Sequence, residues 1–110
     1  MHITDIKIRR LLHEGRLRAI VSVTVDDEIA IHDIKVIEGD RLFVAMPSRK
    51  EQNGIFRDIA HPISPAARRQ FEDAVLDAYQ RELARQSVAS LDYGEHPAVV
   101  ASTGGGFFQS

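Results

Sequence analysis

The stretch LRAIVSVTV, residues 17–25, decides how the rest of the chain must be read. Leu17, Ala19, Val21, Val23 and Val25 fall on one side of a two-residue period, and Arg18, Ile20, Ser22 and Thr24 on the other. Such alternation, rich in β-branched residues, predicts a strand with one buried face. Upstream, HEGR at 13–16 reads as a turn, because Gly15 takes a positive φ at no steric cost. Before it, ITDIKIRRLL from Ile3 to Leu12 alternates well over Ile6-Lys7-Ile8, and the doubled Arg9-Arg10 breaks the period as a bulge or a strand end would.

Downstream, Asp26-Asp27 closes a second hairpin. EIAIHDIKVIEG then places Ile29 and Ile31 on one parity, and Ile34 and Val36 on the other. A period of two changes parity only through an inserted residue, so a bulge is expected at His32-Asp33. Gly39-Asp40 turns the chain into RLFVAM, whose unbroken apolar run predicts a strand covered on both faces, ended by Pro47.

Residues 47–54 contain SRKEQNG and read as an exposed loop ending in the turn pair Asn53-Gly54. IFRDIAHPI is a short last strand halted by Pro62. Ser64 before Pro65 reads as a helix N-cap with proline at the first helical position, where its missing N–H costs nothing. The predicted helix runs to about Gln86, with Phe71, Ala74, Val75, Ala78, Tyr79 and Leu83 on one stripe and Asp73, Asp77, Gln80 and Arg81 opposite. The fold class is α+β: an antiparallel meander of four to five strands followed by one long amphipathic helix. Residues 1–86 form the domain, and residues 87–110, rich in Gly and Ser, read as a flexible C-terminal tail. Phe107-Phe108 in that tail either dock on a neighbour or end in solvent.

At 110 residues the chain suits one modest core, near the size where an exposed sheet pairs with a second copy. It has no cysteine, so disulfides and thiolate metal sites are excluded, in keeping with a cytoplasmic setting. No apolar run approaches the roughly 18 residues of a spanning helix, and no membrane partner is expected. Formal net charge is −2, unevenly spread: residues 1–70 hold 12 Lys or Arg against 10 Asp or Glu, and residues 71–110 hold 2 against 6. A local cationic patch is compatible with that asymmetry; a polyanion-binding field over the whole chain is not.

The segments HDIKVIEG, LFVAMPS and FRDIAHPI, in this order and followed by RRQFEDAVLDAY, closely resemble the SpoVG family (stage V sporulation protein G) over about residues 1–83. The resemblance implies a small bacterial cytoplasmic protein and a homodimer with strands or helices shared between subunits. It also implies a link to septation, cell division, sporulation and gene regulation, with DNA or RNA binding. Nucleic-acid contacts in the family are attributed to the helix start and nearby basic residues. By position these are Ser64, Arg68 and Arg69, with Arg49 and Lys50 in the preceding loop. The chain departs from the family at SPAARR, where many relatives carry a hydroxyl-rich run.

Read from the residues themselves, a helix N-terminus flanked by Arg68 and Arg69 suits a phosphate, and Arg49, Lys50 and Arg57 reinforce it if the loop folds back. The plainer reading is a solvated loop with ordinary surface arginines. Phe43, Phe56, Phe71 and Tyr79 are assigned to the core, which leaves no stacking platform and favours contacts to the phosphate backbone. His32, Asp33 and His61 would make a hydrolase only if brought within hydrogen-bond reach of one another. No enzyme activity, catalytic residue, cofactor, small-molecule substrate or metal is expected, since the five histidines lack paired ligand spacing. The expected function is a dimeric nucleic-acid-binding regulator; the alternative is an adaptor that contacts proteins of the division machinery.

Overall fold

The computed structural model describes residues 1–95, with side chains to residue 87. Four strands, β1 (Ile3–Leu11), β2 (Leu17–Val25), β3 (Ile29–Glu38) and β4 (Leu42–Ala45), form an antiparallel meander in the order β1-β2-β3-β4. Two short strands, β5 (Ser48–Lys50) and β6 (Phe56–Asp58), form a separate two-stranded ribbon, and α1 (Pro65–Glu95) follows. By compactness the chain divides into Met1–Tyr79 and Gln80–Ser110.

In the first unit, the alternation of β2 works as its sequence dictates. Ala19, Val21 and Val23 are fully buried, and their neighbours in register, Val36 and Ile34 on β3, are buried with them. Phe71, Val75 and Tyr79 recur every four residues on the helix and are also buried. That spacing puts them on one face, which supplies the cover for the sheet. Ser64 Oγ accepts a hydrogen bond from the Ala67 backbone N–H at 3.1 Å, and Pro65 is the first helical residue, so the predicted cap is in place.

The turns follow from backbone chemistry. Asp26 and Asp27 both have positive φ (55° and 56°), the pattern of a type I′ turn, closed by Glu28 N–H donating to the Val25 carbonyl at 3.0 Å, and Glu28 is left over before Ile29 pairs with Val25. The register shifts between Ile8 and Arg10, which makes Arg9 an inserted residue. It shifts again between Val21 and Val23, where Ser22 faces both His32 and Asp33. Asp33 carries the strain of that bulge at φ 61°.

Four expectations are corrected. Residues 48–50 are not loop: they pair with residues 56–58, because Asn53-Gly54 reverses the chain, with Gly54 at φ 85°. β4 is not covered on both faces, since Val44 is buried whereas Phe43, opposite Ile37 on the other face, is 38% exposed. Phe56 is not a core residue; it stands 63% exposed on the ribbon. The helix passes Gln86 and continues to Glu95, because no proline or glycine intervenes before Gly94. The expected tail beyond Glu95, with Phe107-Phe108, lies outside the described residues. No helix among the described residues is long and apolar enough to cross a membrane.

Candidate nucleic-acid interface

Pro47 ends β4, and the chain then folds back on itself as the β5–β6 ribbon. Its register is Ser48 with Asp58, Arg49 with Arg57, and Lys50 with Phe56. Residues directly opposite in an antiparallel pair share a face. Arg49 and Arg57 therefore stand together on one face, and Lys50 and Phe56 on the other. Two guanidinium groups side by side repel, and the ribbon relieves this through Glu51, whose Oε1 accepts from Arg57 Nε at 2.9 Å. The turn beyond is held by Glu51 N–H donating to the Ile55 carbonyl at 2.9 Å and Ile55 N–H donating to Asn53 Oδ1 at 3.0 Å.

The root of the ribbon and the start of the helix meet at one end of the sheet. Arg68 Nη2 donates to the Val44 carbonyl at 3.1 Å, tying the first helical turn to β4 just before Pro47. Ile59 N–H donates to the Pro47 carbonyl at 2.7 Å, which brings the exit of the ribbon back to its entrance. Arg68 also lies 3.4 Å from Glu72 Oε2. Its guanidinium is thus a structural clamp with part of its charge balanced, and Ser64 is committed to the cap.

Arg49 and Arg69 make no ion pair among the described residues. Lys50 Nζ lies over the Phe56 ring at 6.0 Å from the centroid. Of the six residues singled out from the sequence, Arg49, Lys50 and Arg57 share the ribbon, while Ser64, Arg68 and Arg69 share the helix start. Glu51 and Phe56 are the local partners that sequence reasoning missed. Part of the signal was present: Asn53-Gly54 marks a turn, and the three-residue loop Gln52 to Gly54, closed by Gly54 N–H on the Glu51 carbonyl at 2.9 Å, sets Lys50 opposite Phe56.

The histidines do not converge. His61 Nδ1 bonds the Pro62 carbonyl at 2.9 Å, and His32 Nδ1 lies 2.8 Å from Ser22 Oγ. Arg9 Nε donates to the same hydroxyl at 3.1 Å. Ser22 thus bridges β1 and β3, joined to Arg9 on one side and His32 on the other.

The SpoVG family model matches residues 1–81. This chain belongs to the SpoVG family. A relative from Lachnospira eligens, named "Putative septation protein SpoVG", is 54% identical over 82 residues, covering 74% of this chain and 93% of the relative. The protein of the same name from Exiguobacterium sibiricum is 56% identical over 80 residues, covering 72% and 78%. That from Clostridioides difficile is 54% identical over 91 residues, covering 82% and 99%. The matched span of the SpoVG family contains the whole sheet, the ribbon and the helix start.

Proposed function

We propose that the chain is a cytoplasmic, non-enzymatic regulator that binds DNA or RNA as a homodimer, through phosphate contacts from the ribbon and the helix start. The observation that carries the reading is the pairing of Arg49 with Arg57 on a ribbon whose root Arg68 joins to the helix. Arg49, Lys50 and Arg69 supply the uncompensated charge; Arg57 and Arg68 are partly balanced by Glu51 and Glu72. One such patch reaches few phosphates, and a two-fold axis doubles them. Self-association is supported by Ile55, Ile59 and Ile63, which a monomer leaves exposed to water, Ile63 at 91%. The name carried by the relatives points to septation as the setting, and the family resemblance adds sporulation and control of gene expression.

The test is a gel-shift titration at several salt concentrations with Arg49→Gln and Arg69→Gln combined. These two are chosen because neither holds an ion pair, so the fold is spared. Affinity is expected to fall, and the salt slope to flatten by roughly one for each phosphate that is no longer neutralised. An unchanged slope removes the patch from consideration. The adaptor reading draws on the same exposed isoleucines, and a pull-down that survives nuclease and high salt would favour it.

A further inference from the structure

We propose that Phe56 stacks on an unpaired nucleobase, so that the ribbon takes single-stranded nucleic acid in preference to duplex; this rests on the nucleic-acid reading above. Phe56 is the aromatic side chain that lies among the cations, 63% exposed, directly opposite Lys50. A benzyl group left largely in water forgoes the burial that a core position would give it. Lys50 Nζ, 6.0 Å from the ring centroid, places a phosphate-seeking charge beside the ring. On the same face, Asp58 stands opposite Ser48 at the root of the ribbon and repels phosphate there, so the strand's backbone is directed toward Lys50 and the tip. Arg49 and Arg57 on the other face of a ribbon three residues long extend the positive field around its edge.

A duplex hides its base faces in its own stack, whereas a single strand offers a π-face to an aromatic ring whatever its sequence. A protruding ring beside cations thus discriminates by strandedness. The exposed isoleucines at 55, 59 and 63 have no such chemistry.

The experiment measures fluorescence anisotropy of labelled oligo(dT), oligo(U) and a duplex of matched length with the full chain, Phe56→Leu and Phe56→Trp. The expected result is tighter binding of single strands than duplex by the wild type. Phe56→Leu should lose roughly ten-fold on single strands while duplex binding stays unchanged. Phe56→Trp should retain affinity, and because the chain has no other tryptophan its emission should be quenched on binding. Unchanged single-strand affinity in Phe56→Leu overturns the proposal, as does an equal loss on both substrates. A change of oligomeric state in Phe56→Leu, read by sedimentation, also overturns it by assigning the ring to a protein interface. If the wild type binds duplex well and single strands no better, the stacking inference fails alone. If it binds neither, the nucleic-acid reading fails with it.

Discussion

Ser22 shows how single residues reconcile the sheet with its irregularities. It faces the bulge at His32-Asp33, and its hydroxyl takes the Arg9 N–H and meets His32, so a side chain only 7% exposed is fully bonded. Asp33 makes the bulge at a backbone price that an acidic side chain tolerates better than a branched one. Asp33→Val is therefore expected to destabilise the chain by about 1–2 kcal/mol in urea unfolding, and Asp33→Gly by no more than a few tenths. Equal stabilities for the two variants would show that φ at this position carries no strain. The bulge itself was legible from the parity change between Ile31 and Ile34; its bonding to Arg9 was not, because Arg9 and Ser22 are joined only by strand register.

At the scale of elements, the helix combines a start set by Ser64 and Pro65 with a buried face set by Phe71, Val75 and Tyr79. Further along, within Gln80–Ser110, the Glu82 carboxyl is held below its ordinary value of 4.5. The main cause is a hydrogen bond from Arg85; burial opposes it, and attraction to Arg85 and a bond from Gln86 assist. A carboxyl so lowered adds stability above its unfolded value, and that stability disappears as pH falls through the lowered folded value. Far-UV circular dichroism should thus show helix content declining on acidification below about pH 4.5, with a weaker decline in Glu82→Gln. The effect is small, because both partners are screened by solvent. A Glu82→Gln titration identical to wild type would dissociate this pair from helix stability. The ribbon is the opposite kind of element, with all six strand residues exposed and no buried face of its own. An isolated two-stranded hairpin of this length is marginal in water, so its persistence depends on its root at Pro47 and Ile59 and on what covers it.

For the whole molecule, that cover is the central question. Ile59 at 67% exposure and Ile63 beyond it are more apolar surface than one short segment of a monomer usually shows. If a second copy covers them, Ile59→Asp combined with Ile63→Asp should shift the protein to monomer in sedimentation velocity while the far-UV spectrum is kept. Nucleic-acid affinity should then fall steeply, since two linked patches bind more strongly than one. A double variant that keeps the wild-type mass places the interface elsewhere.

What the sequence settled by itself was governed by local period and local chemistry: the four strands of the meander, the parity breaks at Arg9 and at His32-Asp33, though not the register shifts near Thr4 and Arg18, the Asp26-Asp27 turn, the Ser64 cap and the buried stripe through Tyr79. These are determined within a few residues, by side-chain alternation and by backbone groups that need a partner nearby. Tertiary structure alone decided that Arg68 clamps the Val44 carbonyl and that Phe43 and Phe56 stay exposed. An apolar residue is buried only if another layer arrives to cover it, and a cation is free only if no carboxylate folds beside it. Both conditions depend on segments distant in the chain, which no local pattern encodes.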